Sequence, residues 1–162
     1  MTVNELQEEL IKEIEYITKD VETYNCHRNR VRVKGYPQAI PIFTPTEYGR
    51  YDEQMEDALF PYFVVMINSV MYNDPETDGE NTAHIMVLFG ICDDDEKMRG
   101  YFTLSAIMQR VIMRFMENQT MGLFYCDKKM RMEFQEDDTA HQFFGGIEMI
   151  WYLPEIETEE ME

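Results

Sequence analysis

"FPYFVVMINSVMY" (residues 60–72) is almost continuously apolar and rich in aromatic and β-branched side chains. A half-solvated strand would alternate, and a bilayer-spanning helix needs about 20 apolar residues in a row. The longest apolar run, Leu59 to Ile67, falls well short of that. The stretch therefore reads as a strand covered on both faces. "NDPETDGEN" (73–81) follows as a polar turn, and "TAHIMVLFGIC" (82–92) as a second buried strand. Two long strands joined by a polar loop of this length predict an antiparallel hairpin.

Outward from that hairpin, Leu6, Leu10, Ile14, Ile17 and Val21 recur at steps of three and four, with Glu and Lys between them. That spacing predicts an amphipathic helix over 4–22, opened by a capping box of Thr2 and Glu5. "RVRVKG" (30–35) alternates like a strand, with Val31 and Val33 on one side and cations on the other. The proline-rich 36–59 stretch reads as a long excursion with at most one short strand. After the hairpin, Tyr101, Leu104, Met108, Val111 and Phe115 mark a second helix, ending near "ENQTMG". The last third reads as another hairpin. Met130, Met132 and Phe134 alternate in its first strand, and Ile147, Met149, Trp151 and Leu153 in its second. Gly145 and Gly146 read as a bulge or bend ahead of that strand. The expected fold is α+β: an antiparallel β-sheet of about four to five strands with two amphipathic helices packed on one face. Residues 1–154 form one domain, and 155–162 an acidic tail.

The sheet pattern leaves one requirement open. Tyr62, Val64, Met66 and Val70 point away from the face bearing Phe63, Val65 and Ile67. Something must cover that second face, either the excursion at 36–59 or a neighbouring subunit.

Composition narrows the function classes. The formal charge is −18, yet the hydrophobic fraction (44%) is far too high for a disordered chain. After Arg131 there is no Lys or Arg; Arg28, Arg30, Arg32 and Lys34 form the densest basic stretch. This balance argues against phosphate-driven nucleic-acid binding, which needs a broad cationic surface. It predicts that copies of the chain repel one another unless salt or a cation screens them. Glu5, Glu8 and Glu9 stand where a signal peptide would carry cations and an apolar segment. Cys26, Cys92 and Cys126 are odd in number and widely spaced, so no disulfide framework is expected and a reducing compartment fits.

Chemical motifs are weak. Asp74, Glu76, Asp78 and Gly79 match part of a calcium loop, but Ile85 stands at the twelfth position, where a bidentate Glu is required. The cluster Asp93, Asp94, Asp95 and Glu96 suits the partial positive charge at a helix start, and adjacent carboxylates rarely converge on a metal. Ser69 and Ser105 lie in no nucleophile elbow. His27, His84 and His141 lack zinc-site spacing, and Cys92 and Cys126 sit in apolar patterns as inert thiols. Most of the fourteen methionines read as core filling. No catalytic, cofactor or metal residue is assigned.

The order of elements carries a resemblance. The first helix, "LFPYFVVMINSVMY", the polar loop, "ENTAHIMVLFGICDDDEKMRGYF", the helix "TLSAIMQRVIMRFM" and the closing "EDDTAHQFFGGIEMIWYLPEI" follow one another. In this series the chain resembles the tail terminator (tail-completion) proteins of long-tailed bacteriophages and prophages, the lambda-like members included. It covers most of the chain, with 34–58 as an insertion, and rests on fold patterns rather than catalytic signatures. The resemblance implies a non-enzymatic assembly protein of the virion, located at the head-proximal end of the tail and assembled in the host bacterial cytoplasm. It further implies a homo-hexameric ring that caps the tail tube, stops its polymerisation and joins the head connector, with DNA passing through the ring.

Charge alone nominates the contact residues. Arg28, Arg30 and Arg32 would meet acidic loops of a neighbour or partner, or else form a solvated strand edge. The loops Asp74, Glu76, Asp78 and Glu80, and Glu136, Asp137 and Asp138, would face the ring opening, where negative charge gives phosphates no favourable partner. Taken singly, each also reads as a solvated loop. The rival functions are another neck or head–tail connector, a minor tail protein, an acidic DNA mimic and, last, a metal-dependent nuclease.

Overall fold

The computed structural model describes residues 2–40, 59–93, 100–135 and 141–155. The chain begins with α1 (Val3–Thr18), and the capping box forms as expected: Glu5 N–H donates to Thr2 Oγ1 at 3.3 Å and Thr2 N–H to Glu5 Oε2 at 3.2 Å. The helix stops short of residue 22. Thr18 turns its hydroxyl back onto the Ile14 carbonyl at 2.8 Å, and the chain leaves helical geometry within three residues. Leu6, Leu10 and Ile14 are fully buried, as their spacing predicted.

The strands are β1 (Lys34–Pro37), β2 (Tyr62–Asp74), β3 (Glu80–Cys92), β4 (Thr120–Met121), β5 (Phe124–Cys126), β6 (Arg131–Phe134) and β7 (Gln142–Tyr152), with α2 (Gly100–Glu117) between β3 and β4. They form one mixed sheet in the order β1-β2-β3-β7-β5-β4, and β6 also pairs with β7. β2 and β3 make the expected antiparallel hairpin, Tyr62 opposite Gly90 and Val65 opposite Val87. β6 and β7 make the second. The expected four to five strands correspond to β1, β2, β3, β6 and β7; β4 and β5 are too short for an alternation to show. β1 departs from the antiparallel expectation, running parallel to β2 with Lys34 beside Tyr62. The 30–35 alternation yields a strand only from Lys34 onward. Ahead of it, Tyr24 and Arg30 bridge and Val31 N–H bonds the Thr23 carbonyl, which commits residues 23–31 to a small loop of their own.

Both helices lie on one sheet face. Phe63, Val65, Ala83, Ile85, Val87, Phe89, Ile147, Met149 and Trp151 pack there against the buried faces of α1 and α2. A register shift between Ile67 and Ser69 corrects one expectation: it turns Val70 onto this face, opposite Ala83, and away from Tyr62, Val64 and Met66. Gly145 and Gly146 also correct the sequence reading, because they lie inside β7, opposite Phe89 and Leu88. A Cβ on Gly145 would stand 2.8 Å from Met108 Cε and 2.9 Å from the Glu133 carbonyl oxygen. The missing side chain lets α2 and β6 close onto β7. Met108 is buried as core filling, while Met113 and Met116 are exposed.

The expected absence of a disulfide is overturned. Cys26 and Cys92, 66 residues apart in sequence, are bonded with their Cα atoms at 5.4 Å. The fold supplies what spacing could not show: the 23–31 loop lies over the last residue of β3, placing the thiols together. Cys126 is free and buried, as read, and burial pushes its thiol up to about 12. Among the described residues, no helix is long and apolar enough to cross a membrane.

Candidate functional site

The β2–β3 hairpin sets the positions of the nominated charges. Lys34 lies beside Tyr62 at the start of β2, and the disulfide ties the 23–31 loop to Cys92 at the end of β3. Asp74 to Glu80 form the turn at the opposite end. With both strands running Tyr62–Asp74 and Glu80–Cys92, the two ends are separated by about 40 Å at the usual rise per residue. The structure therefore does not bring Arg28, Arg30 and Arg32 together with Asp74, Glu76, Asp78 and Glu80. Asp94, Asp95, Glu96, Glu136, Asp137 and Asp138 lie outside the described residues.

The basic end is built by short-range bonding. Asn25 Oδ1 accepts from the backbone N–H groups of His27 and Asn29, each at 2.9 Å, and Asn25 N–H donates to the Asn29 carbonyl at 2.9 Å. Arg28 occupies the left-handed region at φ 64°, which reverses the chain. Arg28, Arg30, Arg32 and Lys34 are all exposed. The Tyr24 phenol donates to Glu22, and this bond raises the Tyr24 pKa. Glu22, Tyr24, Cys26, Arg28, Ile91 and Thr103 line a cleft of about 470 Å³ beside the disulfide. The thiols there are oxidised, so the cleft offers no sulfur nucleophile.

The acidic end is a turn held by its own carboxylate. Asp74 Oδ1 accepts from Glu76 N–H at 3.0 Å, the Gly79 N–H donates to the Asp74 carbonyl at 2.8 Å, and Asp78 and Gly79 take positive φ. Pro75–Thr77 form a single 3₁₀ turn. Glu76, Asp78 and Glu80 face solvent. Their directions are set by the turn, and among the described residues no group of three or more potential metal ligands converges.

The second sheet face is the third surface. Tyr62, Val64, Met66, Leu88 and Phe144 line a hollow of about 320 Å³ with Gln38, Ala39 and Ile40. Val64 is buried and Leu88 exposed; residues 38–40 lie against this face, and 41–58 of the excursion expected to cover it lie outside the described residues. Sequence reading missed the device that fixes this edge. Gln38 N–H bonds the Val65 carbonyl at 3.0 Å, and Gln38 Oε1 accepts from Ile67 N–H at 2.8 Å. Buried Gln7 of α1 donates to both Gln38 Oε1 (2.8 Å) and the Val65 carbonyl (2.7 Å). One glutamine side chain thus continues the pairing that β1 begins, and a second ties it to the helix layer. A lone polar residue on a helix's inward side was the available signal for Gln7. No protein-family model matches the chain, and no curated protein matches it.

Proposed function

We propose that the chain is a non-enzymatic assembly protein, a tail terminator that forms a ring on the tail tube, stops its polymerisation and presents the head-joining surface. The observation that carries this reading is the face of the sheet opposite the helices. Half-buried Tyr62, Met66 and Phe144 and exposed Leu88 gather on it beside residues 38–40, and an apolar sheet face of this kind suits contact with a neighbouring subunit. The element order on which the tail-terminator resemblance rests supports the same reading: first helix, long hairpin, second helix and closing strand. In this reading the functional contacts are surfaces, and the partners are further copies, the tube protein and the connector.

The test adds the purified protein to tube protein during polymerisation. Tubes that stop elongating and carry a ring at one end in electron micrographs support the proposal. Tubes that grow at an unchanged rate with no bound protein overturn it.

A further inference from the structure

The hydrophobic core closes without the Cys26–Cys92 bond. Leu6, Leu10 and Ile14 of α1 and Leu104, Met108, Val111 and Phe115 of α2 are buried against the sheet, and neither bonded cysteine belongs to that cluster. Small secreted domains use several disulfides in place of a core they are too short to build. Here a core is present, and the single bond fastens one peripheral element. That element is the 23–31 loop, which also holds itself: Tyr24 bridges Arg30, the Thr23 hydroxyl donates to the Val31 carbonyl, and Asn25 N–H donates to the Asn29 carbonyl. Cys26 ties this unit to Cys92, the last residue of β3.

The bond is also within reach of solvent. Cys26 and Cys92 are both half-buried and line the cleft of about 470 Å³, with Tyr24 and Asn25 of the loop, Ile91 of β3 and Thr103 of α2. Clefts of about 300–1,000 Å³ admit small molecules. Access is one of the conditions that make a disulfide exchangeable, and exposed bonds are the labile ones. Cys126 gives the contrast within the same chain, being free and fully buried.

We infer that Cys26–Cys92 is a reversible thiol–disulfide exchange site, open to a low-molecular-weight thiol through the cleft, whose reduction releases the 23–31 loop while the core stays folded. The incoming thiolate attacks one sulfur, forms a mixed disulfide with it and expels the other cysteine as a thiolate, which takes up a proton. A second thiolate then attacks the mixed disulfide. Cys26 and Cys92 end as two thiols, and the reagent ends as its own disulfide. Two electrons and two protons have passed from two small thiols to the protein, and the small disulfide drives the reverse reaction. The loop carries Arg28 and Arg30, with Arg32 just beyond it, in the densest cationic stretch of a chain with formal charge −18. The oxidised form holds these cations at the end of β3, and the reduced form lets them leave it. The device belongs to the single chain and does not depend on the assembly reading.

The test equilibrates the native protein, without denaturant or oxygen, in mixtures of reduced and oxidised glutathione. Alkylation under native conditions with peptide mass spectrometry reports each cysteine; thermal melts and amide exchange report the fold. In excess millimolar reduced glutathione, Cys26 and Cys92 should become alkylated together while Cys126 stays unlabelled. The reduced protein should keep a cooperative melt, and exchange over residues 22–33 should quicken about tenfold or more. Oxidised glutathione should restore the bond and the slow exchange. A pair that stays bonded at every glutathione ratio, and opens only in urea with Cys126 labelled alongside, would overturn the inference. A reduced chain without a cooperative melt, or one whose 22–33 exchange is unchanged, would overturn it as well.

Discussion

Removing the Cys26–Cys92 bond perturbs the molecule at one defined place. The bond closes a loop spanning 66 residues, so the chain-entropy relation sets its stabilisation at roughly 4 kcal/mol. At about 2–4 °C per kcal/mol for a domain of this size, that corresponds to a fall in Tm of roughly 8–16 °C. The loss should also be local. Within the 23–31 loop, Asn25, Thr23 and the Tyr24–Arg30 bridge make short-range bonds. Thr23 of the loop and Val33 just after it are buried. With Cys26 and Cys92 both changed to Ser, amide exchange should accelerate first over residues 22–33 while α2 and β3 remain protected.

The assay has an internal control. Alkylation of the native protein without reductant should label none of the three cysteines, since Cys126 is buried and the other two are bonded. A non-reducing digest should release one cross-linked peptide joining the segments that contain Cys26 and Cys92. Scanning calorimetry of the double Ser variant then measures the Tm change. Native protein that takes alkylating reagent at both Cys26 and Cys92, or a double variant that melts within about 2 °C of wild type, would refute the reasoning.

Three further outcomes follow from the core. Gly145→Ala should destabilise by about 1–3 kcal/mol, because its Cβ meets the Glu133 carbonyl oxygen at 2.9 Å and backbone cannot yield as a side chain can; urea unfolding measures it, and a neutral result would remove the close-packing account of β7. The Cys126 thiol is raised to about 12, so the unfolded chain loses this proton first; stability should decline as pH climbs from about 9 towards 12, and Cys126→Ala should flatten that decline in pH-jump unfolding. Trp151 is fully buried with Phe115 edge-on at 5.0 Å, and its indole N–H finds no acceptor among the described residues. Trp151→Phe should therefore change stability by only about 1 kcal/mol, since relief of the orphan donor offsets lost packing; a loss above about 3 kcal/mol, read by circular dichroism, would show that the donor is not a burden.

What the sequence made legible was the part governed by periodicity. The 3.6-residue spacing of Leu6, Leu10 and Ile14 and of Leu104, Met108, Val111 and Phe115 located both helices and their buried faces. The apolar runs at 60–72 and 82–92 located the central hairpin. Periodicity failed where one residue changes phase or a contact spans the chain. The shift between Ile67 and Ser69 moved Val70 to the helix side, and nothing in "MINSVMY" marks it. β4 and β5 are held by β7 rather than by any pattern of their own. Gly145 and Gly146 looked like a bend because their environment, Met108 and the β6 backbone above one and Leu88 beside the other, exists only after folding. The charged stretches were visible as composition. Their placement at opposite ends of one hairpin was not, because it depends on β1 running parallel to β2 and on Cys26 reaching Cys92.

That placement gives charge two roles acting over different distances. With a formal charge of −18, copies repel across a whole molecular diameter when the screening length is about 30 Å, at 0.01 M salt. At 0.15 M the length is about 8 Å, so long-range repulsion fades while groups in direct contact still attract. Near 1 M it is about 3 Å, and contact pairs are screened as well. Association through opposite charges in direct contact should therefore rise with salt and then fall. Association through the apolar face of Tyr62, Met66 and Leu88 should only rise, since screening removes repulsion and costs that face nothing. A sedimentation series from 0.01 M to 1 M separates the two: a maximum at intermediate salt assigns the contact between copies to paired charges, and a steady climb assigns it to the sheet face.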